Sequence, residues 1–281
     1  MKYTAKEIQG NVNVSRVWPI RDFLELSLKV LGLFLAVYFL LGLAVNYLAP
    51  RISPEMEEKL GNLFMKTLPQ QAYPEAEEQA QKTLNDLLQH ASLPKFGYSV
   101  RVVDSSDINA IALPAGHIVV LTGLLEKVKS RNEFAMVLAH ELGHFYYRDH
   151  LRGLGRGFVF LFLSSMLFGT DSSFSKFIAE SLGQMEMKFS RTQERAADIY
   201  GLELVQRTYG NISGAVDFYE KMAQEDKILK FFYLFASHPY PQDRIRVLKE
   251  LIRLKGYSTG ENPELVFSEK LGVVSNGHKE R

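Results

Sequence analysis

Val137-Leu138-Ala139-His140-Glu141-Leu142-Gly143-His144-Phe145-Tyr146-Tyr147-Arg148-Asp149-His150 is the stretch from which the rest of the chain is read. It contains His140-Glu141-Leu142-Gly143-His144, an H-E-x-x-H run. On an α-helix, residues four apart share a face, so both imidazoles can aim at one ion with Glu141 one step round the helix beside them. Hydrolysis at a zinc ion needs that set: two neutral nitrogen ligands, a position left for water, and a carboxylate to take the water's proton. The helical period runs back through Val137 and Leu138 to Phe134. Ser130-Arg131-Asn132-Glu133 has the form of a capping box and predicts the helix start.

Two residues can complete such a site. His150 lies ten residues after His140, the spacing of H-E-x-x-H-x-x-G-x-x-H. That pattern turns on its glycine; Tyr147 stands there instead, and a bulky residue disfavours positive φ. If the helix runs on, His150 is carried to another face, about 9 Å beyond His144 along the axis. The other candidate is Glu194, in Ser190-Arg191-Thr192-Gln193-Glu194-Arg195-Ala196-Ala197-Asp198. Asp198 falls on the same helical face as Glu194. That spacing suits a carboxylate ligand followed by a carboxylate that holds a ligand histidine's free N–H. Arg191 and Arg195 flank the pair, as they would on a solvated helix face.

Outward from this centre, Val30–Leu48 is an uncharged apolar run of the length that crosses a bilayer core. It exceeds a signal-peptide core in length, and its polar leader is long for one, so it reads as an uncleaved anchor. Residues 1–29 read as a tail without regular structure, with Trp18-Pro19 suited to a membrane surface; residues 30–50 as the anchor; 51–256 as the catalytic domain; 257–281 as a second tail. Lys2, Lys6, Arg16, Arg21 and Lys29 precede the span, against Arg51, Lys59 and Lys66 soon after it. The bias places the N-terminus in the cytoplasm and the domain on the other, periplasmic or extracellular, side of a single-pass protein. The net charge of +1 excludes an evident nucleic-acid partner, and the absence of cysteine excludes disulfides, thiolate ligands and a cysteine nucleophile.

Elsewhere the patterning predicts helix over Glu55–Leu93 with a break near Pro69–Pro74. Strands follow at Tyr98–Val103, Ala110–Leu113 and His117–Leu121, a sheet of about three. Thr122–Lys129 reads as one short helix. Phe158–Phe168, too short to span a membrane, reads as a buried helix or as a lid that touches lipid. Further helix is predicted over Phe177–Val205, Ile212–Ala223, Phe231–Phe235 and Pro241–Lys255. The fold class is α+β.

HELGHFYYRDH, SRTQERAAD and SHPYPQDRI, preceded by NAIALPAGHIVVLTGLL, together resemble the gluzincin metallopeptidases that include HtpX and the type I CAAX prenyl endopeptidases. The resemblance covers about Tyr98 to Lys255. It implies a mostly helical zincin-type domain with one zinc ion held by His140, His144 and Glu194, and Glu141 as general base. Asp198 would orient a ligand histidine, His238 would steady the oxyanion, and Arg244 would support that region. Asn109 and the strand residues Ala112, Leu113, Pro114, Ala115, Gly116, His117 and Ile118 would hold a polypeptide substrate. His117 departs from the family pattern and also reads as an exposed strand residue. One span rather than several points to turnover of misfolded or membrane-associated proteins, not of prenylated ones. Two other classes stand beside this: a metal-stabilised membrane scaffold or chaperone without catalysis, and a metzincin-like protease using His150.

Overall fold

The structure is a computed structural model and describes residues 19–68, 73–169, 189–224, 238, 241–265 and 267. Two compact units divide the chain at residue 44. Helix α1, Pro19–Leu48, supplies the first. Among the described residues it is the one helix long and apolar enough to cross a membrane, and none of its apolar window is buried. It begins eleven residues before the apolar run. Pro19 at its start and Asp22 in the first turn suit a helix N-terminus. Glu25 and Lys29, 2.7 Å apart, pair one turn on. Ile20, Phe23, Leu24 and Leu28 do fall at helical spacing, but Arg21, Asp22, Glu25 and Lys29 interleave them, and this mixture read as a tail.

In the second unit, α2 (Pro54–Thr67) and α3 (Pro74–Leu88) occupy the predicted helical region. β1 (Ser99–Val103), β2 (Ala110–Leu113) and β3 (His117–Leu121) form a sheet in the order β1-β3-β2, with β1 parallel and β2 antiparallel to β3. β1's outer edge is closed by α3: Gln81 Oε1 accepts from Val100 N and Glu77 Oε1 from Val102 N, each at 2.9 Å. Residues four apart on a helix meet alternate amides of a strand, which blunts an edge that would otherwise invite pairing. β2 is the other edge.

Helix α4 is shorter than expected, Thr122–Leu125. α5, Arg131–Tyr146, is buried from Asn132 through Phe145. Its own Phe134, Met136, Leu138, Leu142 and Phe145 are fully buried, and each such side chain contributes about 1.5–3 kcal/mol by leaving water. Its predicted capping box is half formed. Ser130 Oγ accepts from Glu133 N at 3.3 Å, but the Glu133 carboxylate reaches Lys129 N, one residue early, and pairs with Lys221. Residues 257–265, read from sequence as tail, meet the start of α5: Pro263 O accepts from Arg131 N and Lys129 O from Leu265 N. Phe267 is buried edge-on against Phe134 at 5.0 Å. An irregular strap that closes a helix end has no period of its own to read.

α6 (Asp149–Phe168) follows α5 after a left-handed residue, Arg148. Leu163 is buried, whereas Phe158, Phe162 and Met166 are exposed at a four-residue spacing. The wholly buried helix is therefore not what forms. α7, Arg191–Tyr209, begins at a capping box of Ser190 and Gln193. Phe189 and Ser190 are not helical, so the Phe177–Val205 helix is interrupted there, and its first part lies outside the described residues. α8 (Asp217–Gln224) and α9 (Pro241–Lys255) complete the unit. The predicted Phe231–Phe235 helix lies outside the described residues.

Candidate metal centre

α5 and α7 lie close together, and two glycines permit it. A Cβ on Gly143 would stand 2.8 Å from Ala197 Cα, and one on Gly201 3.0 Å from His140 N. This approach brings Glu194 and Asp198 of α7 against His140 and His144 of α5. All four are buried, as is Glu141. Buried polar groups must be partnered or they cost several kcal/mol each.

The partners fix the rings. His140 Nδ1 lies 2.9 Å from Asp198 Oδ1, and His144 Nδ1 3.2 Å from Asp149 Oδ2. Each carboxylate holds the N–H on the far nitrogen and turns the near one inward. The two inward Nε2 atoms are 3.2 Å apart. Glu194 faces both, with Oε2 3.6 Å from His140 Nε2 and Oε1 3.5 Å from His144 Nε2. His238 joins them, its Nδ1 3.0 Å from Glu194 Oε1 and 3.1 Å from His140 Nε2. One donor atom from each of these four residues lies within 4.8 Å of the others, a grouping that can hold a metal ion.

Arg244 of α9 supports the acidic side. Its guanidinium donates to both Asp198 oxygens at 2.7 Å and reaches His238 O at 3.3 Å, and Nη1 lies 2.8 Å from Glu194 Oε2. Burial alone would raise Asp198, but Arg244 outweighs it and holds the carboxyl down at about 2. Burial likewise opposes ionisation of Glu194, yet the charges of His238 and Arg244 keep it well below the usual carboxylate range. Burial lowers His140, whereas at His144 burial is outweighed by the hydrogen bonds of Asp149 and Glu194, which raise it to about 9. Glu194 Oε2 accepts no well-aligned hydrogen bond. Its charge is met by Arg244, so the fit rests on the donors themselves: imidazole nitrogens and a carboxylate converging in one buried group fit zinc.

His150 is not among these donors. The helix does break before it, though at Arg148 (φ 56°) and not at Tyr147. The break carries His150 to the opposite side, where Nε2 meets Glu57 Oε1 at 2.9 Å and Nδ1 faces His144 O at 3.3 Å. Three further residues escaped the sequence reading. Asp149 orients His144 and is itself held by Gln193 at 2.7 Å and Arg152 at 2.9 Å. Phe189 stacks on the His144 ring at 3.8 Å. Glu57 is described below. Asp149 was in plain view five residues after His144, but it reaches that ring only because the helix breaks between them.

The substrate-strand candidates divide. His117 and Ile118 lie on the central strand, hydrogen-bonded on both sides, and cannot accept an added strand; His117 is half-buried and its Nδ1 is 2.8 Å from Ser99 Oγ. Pro114, Ala115 and Gly116 are buried in the β2–β3 turn. Ala112 and Leu113 lie on edge strand β2. Leu121 N donates to Asn109 O at 3.0 Å, which sets the ladder. Antiparallel alternation then turns the Ala112 N–H and C=O outward. Asn109 is fully buried and caps Ala110 N through Oδ1.

Residues 74–252 match peptidase family M48. Mitochondrial metalloendopeptidase OMA1 of Arabidopsis thaliana is 32% identical over 56% of this chain and 32% of its own length. OMA1 of Danio rerio is 27% identical over 68% of the chain and 45% of its own. Metalloprotease YcaL of Escherichia coli is 27% identical over 54% of the chain and 61% of its own. The chain thus spans less than half of these OMA1 relatives.

Proposed function

Because the chain belongs to peptidase family M48, we propose that it is a membrane-anchored zinc endopeptidase acting in quality control or processing of proteins at the membrane. His140, His144 and Glu194 would hold one zinc ion, which supplies Lewis acidity and lowers the pKa of a water it binds. Glu141 is the residue that would take a proton from the attacking water and return it to the leaving amine. Asp198 and Asp149 hold the ligand rings, and Arg244 holds Asp198. Edge strand β2 would receive an extended substrate, although its Ala112 is buried until substrate enters. His238 steadies the carbonyl oxygen of the substrate; its Nε2 lies 3.7 Å from Glu141 Oε1, on the side of the base.

The observation that carries the reading is Glu141, buried beside the ligand group and not part of it. A site that only stabilises a fold has no use for a general base. With zinc loaded in both proteins, Glu141→Gln should leave unfolded casein uncleaved; cleavage at the wild-type rate would sink the proposal. The narrower kinship with HtpX and the CAAX endopeptidases belongs to the same proposal, as does the orientation with the domain outside the cytoplasm. The chain has no cysteine, so one introduced on either side of residues 30–48 can be labelled from either face of the membrane to test that orientation.

One observation favours a second reading, the non-catalytic scaffold. Four donors, not three, lie together, and closed four-ligand sites are structural ones. His238→Ala separates the two: the peptidase loses turnover and keeps zinc, whereas the scaffold loses zinc.

A further inference from the structure

Among the described residues, two that are not glycine adopt a left-handed backbone: Ala115 (φ 65°) and Arg148 (φ 56°). Such residues are strained, and persist where surroundings over-determine them. Both bond to one buried carboxylate, that of Glu57 on α2. Its Oε1 accepts from Ala115 N at 3.3 Å and from His150 Nε2 at 2.9 Å, and its Oε2 accepts from the Arg148 guanidinium. Arg148 also donates to Ile52 O at 3.0 Å. Ala115 lies in the turn that ends edge strand β2, and Arg148 lies in the turn that ends metal helix α5. One helical turn beyond Glu57, Gly61 lets α2 lie against the first of these turns: a Cβ there would stand 2.5 Å from Pro114 O.

We propose that Glu57 is a positioning residue, holding these two strained turns so that β2 is set against α5 at the angle that peptide binding requires. Burial works against its ionisation, but the bond and charge of His150 and the charge of Arg148 prevail, and the carboxyl stays below its ordinary range. A carboxylate is needed because a neutral side chain cannot serve all three donors at once. The kinetic consequence rests on the peptidase reading; the conformational consequence does not.

The test uses the zinc-loaded full chain in detergent and an unstructured eight-residue fluorogenic peptide. Glu57→Ala should raise KM roughly tenfold with kcat nearly unchanged, as lost ground-state positioning does. Zinc content should hold, and amides of residues 110–116 should exchange faster. Glu57→Gln, which keeps one acceptor, should fall between. Adding Ala115→Gly, which removes the left-handed strain, should recover part of the KM. Unchanged KM, a fall in kcat alone, or loss of zinc overturns the proposal. If Glu57→Ala does not fold, Glu57→Gln carries the same readouts. If the wild-type chain cleaves nothing, the peptidase reading fails, and exchange at residues 110–116 alone decides the role of Glu57; wild-type exchange in the variant overturns it.

Discussion

Helices α1 and α5 are opposites. α1 exposes apolar side chains along its length, Phe23 by 68% and Leu33 by 67%. α5 buries polar ones, with His144 at 0% and Glu141 at 2%. Each violates the ordinary sorting of residues, and each violation names a missing surrounding. An apolar helix of 30 residues is about 45 Å long, and its 19-residue apolar part about 28 Å, near the roughly 30 Å of a bilayer core. Two imidazoles and a carboxylate held without water, with their outer atoms partnered and their inner atoms converging, fit a cation. The exposed apolar face of one helix suits lipid; the converging buried donors of the other suit a cation.

This contrast can be broken at either helix. The largest expected effect is on chemistry: Glu141→Gln should slow hydrolysis by about 10²–10⁴-fold, the usual contribution of a general base, with metal content by mass spectrometry unchanged. Next comes the ion itself. Glu194→Ala should abolish zinc binding at micromolar concentrations, and chelation of the wild type should cost about 4 kcal/mol of stability if zinc had stood at a thousandfold over its Kd, read as a lowered Tm. Asp198→Asn should weaken zinc by about 10–100-fold, because His140 loses its orienting acceptor. At the other helix, Leu35→Arg should weaken membrane insertion by about 2.5–3.5 kcal/mol, read as a larger soluble fraction, and should leave the metal site intact.

The smallest effect is on acid stability. Glu57 titrates lower in the folded chain than its ordinary 4.5. A depressed carboxylate contributes stability that is present above its unfolded pKa and lost as pH falls through the folded one. Wild-type protein should therefore lose stability below about pH 4.5 more steeply than Glu57→Gln. Parallel denaturation curves for the two from pH 6 to 3 would show that the ion pairs of Glu57 store nothing.

Much of the site was legible because its chemistry is written in short spacings. His140 and His144 lie one turn apart, and so do Glu194 and Asp198; a helix converts each spacing into a shared face. Asp149 and His150 were not legible, since both depend on a break at Arg148 that no glycine or proline announces. Arg148 is left-handed, and its guanidinium bonds Glu57, ninety-one residues earlier. The strap of residues 257–265 was missed for the same reason: its hydrogen bonds go to the start of α5 and not to its own neighbours.

The sequence by itself picked out an apolar helix long enough to cross a bilayer and the residues that gather between α5 and α7, because apolar length and i, i+4 spacing are local properties. Tertiary structure decided which histidine joins the donor group, which sheet edge α3 closes, and which carboxylate meets the strained turns. Those outcomes depend on where distant segments bring their donors and acceptors, and burial makes each unpaired one costly enough to choose between arrangements that the local pattern leaves equal.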